Sequence, residues 1–558
     1  MRPSRHGLHR RHAVRRASWL PLIAALATAP GVHALVNIPN GANVAGVWTA
    51  VNSPYVIQGK ATIAAGAILT IQPGVVVRFK VGDNFNYANA GFNAGILIVE
   101  GQLKALGQPN NIIQFTRDGN AGRWGMVFFK ANAPSTMQFS KFSYAREVLN
   151  LPNNAGGARN FKGALSFAKN SGCNVTGCIF AENDWGIHAY RANWTVTGCT
   201  FVDNVTGGVL ASYASPVIRS NVCKQSKEGI RCEYSSNPSI TTNSIYDVTV
   251  GVACTYTSSP TLHNNEIDAV NFGLLAMFSC HPVVKGCVLT GANHGVFVET
   301  QSSCDVWNST LYDNNTGVDV WDNSSATVLN SILWGGADLG FGGGGVNSAT
   351  VKYSDLKNLV QPPQAILGVG NIFAQNPRFR DPANGDFHLM ASECGYPHNS
   401  PCINRGNPDA GSNDACLGCD AGLWGARNDM GAYGGAWNCW LPLPAGRPED
   451  IADCETSLGV EQPPLANDIR IRCAPNPFSE SVAIRLDLPS DAHGTVRLYD
   501  ITGRSIRTLH SGALPGERAH LFSWDGKDDC GVAVSRGLYV CVLAADGVRV
   551  AQPVVFTD

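Results

Sequence analysis

The residues best suited to chemistry in this sequence are two carboxylates, Glu299 and Asp319, set among aromatic side chains. Glycoside hydrolysis needs such a pair, one group to protonate the leaving oxygen and one to activate water or attack the sugar. Phe297 and Trp321 neighbour them at alternate positions, and earlier in the chain come His188, Tyr190, Arg231 and Glu233, with Leu275 and Met277 between. Aromatic faces stack on sugar rings, and charged groups hydrogen-bond to hydroxyls. Tyr190, Arg231, Glu233, Phe297 and Trp321 are therefore the candidate glycan-binding residues, and Glu299 with Asp319 the candidate catalytic pair. The plainer reading is a solvated flank with scattered charge. His294 directly precedes a repeating glycine and reads as an exposed turn residue.

Other chemistries find little support. Lys+Arg 41 against Asp+Glu 42 leaves no basic stripe for nucleic acid. No Ser/His/Asp order stands out, and the glycine run 340–345 lacks the lysine that follows a phosphate loop. Cys416 and Cys419 form half a zinc site with no second pair nearby. Asp409, Asp414 and Asp420 lie in an Asp/Asn-rich stretch that reads as turn chemistry; the alternative is oxygen ligation of calcium, without the spacing of a known loop. No other cofactor or metal is expected. The 18 cysteines are expected to form local disulfides in an oxidising exterior.

These side chains must be held by strands, because 60 glycines and 30 prolines disfavour helices. Pro216, Pro238, Pro260 and Pro282 repeat every 22 residues, as do Gly207, Gly229, Gly251, Gly273, Gly295 and Gly317. A repeat of two helices needs more than 22 residues, which leaves a strand solenoid. Apolar residues keep the same period. One column is Val196, Ile218, Ile240, Leu262, Val284, Val306 and Val328; a second is Phe201, Cys223, Ile245, Ile267, Leu289, Leu311 and Leu333. The third strand supplies two more, Ile230 to Val318 and Cys232 to Val320, at alternate positions. Asn221, Asn243 and Asn265 recur at a bend, where stacked amides hydrogen-bond along the axis.

With Ala65-Gly66-Ala67-Ile68-Leu69-Thr70-Ile71-Gln72-Pro73-Gly74 and Gly101-Gln102-Leu103-Lys104-Ala105 ahead of them, these repeats resemble the right-handed parallel β-helix family over roughly residues 50 to 345. That resemblance implies an all-β solenoid of about 22 residues per coil; the family includes polysaccharide lyases, hydrolases and surface adhesins. The acidic calcium ligands and clustered aspartates of its enzymes are missing from this sequence.

Six arginines, an apolar run from Trp19 to Ala29 and Val32-His33-Ala34 make 1–34 a secretory signal peptide, cleaved near Ala34. Its loss leaves 35 basic residues against 42 acidic ones, a net charge of −7. No other stretch is long and apolar enough to span a membrane. The β-helix is assigned to 35–345, its end and cap to 346–440, and a Pro-rich linker to 441–466. Residues 467–558 read as a small β-sandwich. Asn476-Pro477-Phe478, Tyr499 with Gly503-Arg504, and Trp524-Asp525-Gly526-Lys527-Asp528 resemble the FlgD-like immunoglobulin-type domain and, more loosely, the sorting domains of type IX secretion. The resemblance implies secretion or surface attachment through the secretion machinery or cell envelope. The expectation is thus a secreted or cell-surface, non-enzymatic protein that binds polysaccharide or a cell-surface glycan. The alternative is a polysaccharide lyase or glycosidase.

Overall fold

A computed structural model describes residues 35–130, 132–358, 362–415, 427–436 and 438, together with 470–557 apart from 475–477, 489–490, 501–504, 517–518, 530, 532 and 546–547. The leader 1–34, the linker, the Cys416/Cys419 pair, Asp420, Asn476-Pro477 and Gly503-Arg504 lie outside the described residues.

Short strands dominate because each coil alternates apolar and polar residues between bends, the period that puts one face inward. Strands one coil apart pair in parallel, forming a sheet of 25 strands that wraps two sides of the solenoid and a sheet of 14 on the third. All four apolar columns face inward: Ile218, Ile240 and Leu262 pair in register, as do Ile245 and Ile267, Ile230 and Val252, and Cys232 and Cys254. Ile218, Ile240, Ile230 and Val252 are fully buried, each contributing about 1.5–3 kcal/mol relative to exposure. Upstream of Phe201 the second column is aromatic, with Phe115, Phe142 and Phe180 stacked at ring separations of 4.6 to 5.0 Å.

The glycine column differs at one position from the sequence reading. Gly208, not Gly207, stacks on Gly229, because this coil is one residue short; Gly207 pairs with Glu228. A Cβ on Gly208, Gly229, Gly251, Gly273 or Gly295 would lie 2.5–2.7 Å from the next coil's carbonyl oxygen, so close backbone approach excludes a side chain there.

The cysteines also depart from expectation. All nine from Cys173 to Cys304 are buried free thiols that fill interior positions; the expected local disulfides are absent among them, whereas Cys394 is disulfide-bonded. Burial pushes most of these thiols far above their usual range.

The asparagine ladder forms as expected. Asn243 Oδ1 accepts from Asn221 N–H and Nδ2, both at 3.0 Å, while its own Nδ2 donates to Ile218 O and Asn265 Oδ1. The row continues through Cys287 and then Ser309, Ser331 and Ser354, whose hydroxyls accept the preceding coil's amide.

Two additions cover the flanks. The hairpin of strands Val148–Pro152 and Ala158–Phe161 packs Leu151 and Phe161 against Phe128 and Tyr190 on the outer face. After the last parallel strands of the solenoid, Ala365–Leu367 and Ile372–Phe373, the chain folds back along the side as a strap. Phe379, Phe387, Cys402, Met430 and Tyr433 pack on Val288 and Ile332, and Asn308 Nδ2 donates to Asn428 Oδ1 at 2.8 Å. Beneath the strap, Asp355 is fully buried; its Oδ2 accepts the Cys402 thiol at 3.3 Å, and its Oδ1 has no hydrogen-bond partner.

The C-terminal region forms a sheet of three antiparallel strands and one of four that share a core of Ile484, Leu486, Leu498, Trp524, Tyr539 and Leu543. Trp524 Nε1 donates to Lys527 O at 2.8 Å, closing the turn at Gly526, whose φ is +71°. Among the described residues no helix is long and apolar enough to cross a membrane.

Two predictions follow from these contacts. Asn243→Ala strands the Asn221 amide and is expected to lower stability by about 2–3 kcal/mol, whereas Asn243→Ser restores part of it, as the native serines do downstream. Urea denaturation followed by circular dichroism checks the order; equal losses would refute it. For Asp355, burial pushes the carboxyl up from 3.8 to about 7, opposed by the Cys402 hydrogen bond and helped to a smaller extent by Asp338; burial likewise pushes Asp338 up to about 6, opposed by the Asn358 amide and then Lys357. The folded chain therefore holds this proton more tightly than the unfolded chain. The penalty is absent below about pH 4, grows to about pH 7 and is constant above, reaching roughly 4 kcal/mol. Asp355→Asn should raise the melting temperature at pH 8 and leave it nearly unchanged at pH 4. The same shift at both values would contradict this origin.

Candidate functional site

The outward positions of the third strand make two columns on the larger sheet. His188, Leu210, Arg231, Ala253, Leu275, Phe297 and Asp319 form one; Tyr190, Ser212, Glu233, Thr255, Met277 and Glu299 form the other. The candidate residues share a face, yet they do not share a site. Three rungs separate Glu233 from Glu299, or ~14 Å at the usual strand spacing.

The upstream part is sealed. Tyr190 is 5% exposed, with the Arg159 guanidinium 4.2 Å from its ring centroid and Phe161 edge-on to it. His188 Nδ1 accepts from Lys162 N–H, so Nε2 carries the proton and donates to Ser212 Oγ at 3.1 Å; Ser212 in turn donates to Glu233 Oε1 at 2.6 Å. Burial, aided by Lys162 and Arg159, pushes His188 down to about 3, so the ring is neutral. Arg231 forms a two-pronged pair with Glu228, its Nε 2.6 Å from Oε2. Arg231 and Glu233 are thus engaged with neighbours.

The downstream part lies beyond the hairpin, with Glu299 and Trp321 half-buried, while Phe297, a candidate binding residue in the sequence reading, is 8% exposed among Phe272, His294 and Trp321. Asp319 is 5% exposed and accepts Trp321 Nε1 at 2.7 Å on Oδ1. Its Oδ2 lies 2.9 Å from His294 Nδ1. His294 is therefore not the exposed turn residue of the sequence reading. It begins strand His294–Glu299, stacks on Phe272 at 5.2 Å and meets Phe297 edge-on at 5.0 Å. The register pairing Val298 with Val320 sets Glu299 beside Trp321. Partial burial and the charge of Asp322 raise the Glu299 carboxyl.

The glycine run of the next coil shapes this surface. A Cβ on Gly342 would fall 2.4–2.8 Å from the centre of the Trp321 indole, and one on Gly340 would fall 2.5 Å from Asp319 Oδ1. Both glycines lie opposite the outward row, in strand Ala337–Gly342. Trp321 therefore lies against the Gly342 backbone, half-buried, with the Phe297 ring centroid 5.7 Å from its own. Gly343 and Gly345 give the same room to Asp322 and Asn323, and Asp322 Oδ1 accepts Gly344 N–H at 2.7 Å.

Sequence reasoning missed His294, Asp322 and this shelf. The signal was present: Phe272, His294 and Thr316 each precede a column glycine, the outward position on every coil. It also missed an aromatic ladder at the next bend, where Tyr213, Tyr234, Tyr256 and Phe278 stack at 4.9–5.1 Å. Their faces cover one another, so only ring edges meet solvent.

The calcium candidates divide. Asp409 pairs with Asn407, while Asp414 Oδ1 accepts the amides of Asp429 and Gly435 and its carboxyl is pushed up to about 6 by burial. Among the described residues no three His, Cys, Asp or Glu side chains gather into a metal-holding group.

Residues 185–333 match the right-handed beta helix region family, and residues 477–547 match the FlgD Ig-like domain family. No curated protein matches the chain. Among solved structures the chain is similar to the periplasmic alginate epimerase AlgG, with 13% identity and a TM-score of 0.37 over 57% of this chain and 78% of that one. It is also similar to a mutant tailspike protein of E. coli bacteriophage HK620 in complex with a pentasaccharide, with 11% identity and a TM-score of 0.25 over 56% and 60%. A shorter likeness, to dimeric latent PorU from Porphyromonas gingivalis, has 30% identity and a TM-score of 0.13 over 16% and 9%.

Proposed function

We propose that this chain, a right-handed β-helix joined to a FlgD Ig-like domain, is an exported or cell-surface protein that binds polysaccharide on the outer face of its downstream coils. The observation that carries this reading is Trp321, a half-exposed indole pinned by Asp319 and held against the Gly342 backbone. A sugar ring stacks on such a plate without rearrangement, and the carboxylates of Glu299 and Asp322 beside it accept hydroxyl hydrogen bonds. The tail serves secretion or attachment, as its family resemblance suggests.

A second reading, glycoside cleavage, draws on Glu299. Burial and Asp322 raise its carboxyl, the direction a general acid requires. Asp319 suits the role of second carboxylate less well, since both its oxygens face ring nitrogens.

One titration separates the two. Trp321→Ala is expected to weaken binding of a neutral oligosaccharide by about tenfold or more, roughly 1.4 kcal/mol, while wild-type protein releases no new reducing or unsaturated ends. Turnover abolished by Glu299→Gln would replace binding with catalysis as the function, and unchanged affinity in Trp321→Ala would remove the site. Deleting residues 467–558 should redistribute the protein away from the cell surface or medium in fractionation of the expressing cells. Unchanged distribution would rule out the proposed role of the tail.

A further inference from the structure

A groove separate from the Trp321 surface opens on the 14-stranded sheet, where the strap crosses it. The register there lines up Trp307, Leu329 and Lys352 in one outward column and Thr327 with Thr350 in the next. Tyr353 follows at the bend with φ +48°, and its ring lies across Gly370, where a Cβ would come within 2.1 Å of it. Asn407 and Asp409 of the strap complete the lining of a cavity of about 410 Å³. That size is within the ~300–1,000 Å³ range of small-molecule sites.

The polar wall is set in advance. Asn407 N–H donates to Asn330 Oδ1 at 2.7 Å, Asn407 Nδ2 donates to Asp409 Oδ2 at 3.1 Å, and Asp409 N–H returns to Asn407 Oδ1 at 3.2 Å. These contacts hold Asp409 by its Oδ2 and its backbone amide. The aromatic groups both have cations beside them. The Lys285 ammonium is 4.5 Å from the Trp307 ring centroid, and the Arg427 guanidinium is 5.9 Å from that of Tyr353. Lys352, also in the lining, is exposed. Lys352 is the cation of the lining itself and Asp409 its acid, while Lys285, with Asp305 near it, and Arg427 stand beside the two rings.

We propose that this groove binds a short anionic saccharide. Trp307 and Tyr353 supply apolar plates for the rings, the Lys352 ammonium pairs with the acid group, and Asp409 with the threonine hydroxyls reads the ring hydroxyls. The combination of plates, a fixed acceptor and an unshared ammonium is what such a ligand requires. The assignment stands apart from the Trp321 reading, because the two surfaces lie on different sheets and share no residue.

The full chain is titrated by calorimetry with three probes: a tri-uronate, its carboxyl-reduced neutral counterpart and a sulfated disaccharide. Wild-type protein is expected to bind at least one anionic probe about tenfold or more tighter than the neutral one; the uronate and sulfate arms identify which acid group is read. Lys352→Gln should erase that preference, Trp307→Ala should weaken the anionic probe about tenfold, and Trp307→Phe, which keeps a plate and the fold, should retain most of the affinity. Trp321→Ala should leave this binding within about twofold. Absence of saturable binding of both anionic probes at millimolar concentration overturns the proposal. So does affinity that Lys352→Gln and Trp307→Ala leave unchanged, or loss of binding in Trp321→Ala alone.

Discussion

Everything in the solenoid depends on one constraint: each coil must lie in parallel register directly on its neighbour. A single coil buries almost none of its own apolar side chains, and only the next coil removes Ile218, Ile240 and Leu262 from water. Register also decides what cannot vary. The glycine column marks where adjacent backbones come too close for a side chain, and the Asn and Ser rows mark where bend amides would otherwise be buried without acceptors. The outward residues then occupy a lattice fixed by the core, with ~4.8 Å between rungs. A surface built this way is rigid before any ligand arrives.

The lattice alone does not make a site; what covers it does. Upstream, the 148–161 hairpin seals His188 and Tyr190, and the two ring nitrogens of His188 are spent on Ser212 and the Lys162 amide. Downstream, glycines at the positions facing Asp319 and Trp321 withdraw the side chains that would ordinarily crowd them. The same sheet is thus covered by the hairpin on one half and left uncovered by it on the other. The strap makes the equivalent division on the third side, burying Asp355 under Cys402 while leaving Trp307 and Tyr353 to line a cavity.

The fold was legible because its information is periodic. The inward columns, the Asn row and the strands of the tail all follow from residue type and spacing, and the register reproduces them. Errors arose where the period slips or where chemistry depends on neighbours in other coils. One short coil moved the glycine column from Gly207 to Gly208. The cysteines were read through compartment chemistry, yet inside a solenoid a thiol is also a small apolar filler. Phe297, Glu299, Asp319 and Trp321 were placed on one face correctly, but neither the His294 contact nor the fold-back of the strap has a repeating signal. Tyr190 looked available because sequence shows the strand it occupies and not the hairpin that covers it.

The strap also bears on the order of assembly. Neighbouring rungs are joined by contacts about 22 residues apart, so the stack can grow as the chain is delivered, each turn templating its successor. The Asn308–Asn428 contact spans 120 residues and has no surface to settle on until those rungs exist. On that ground the lateral wrap follows the ladder in assembly and can open while the ladder beneath it stays intact.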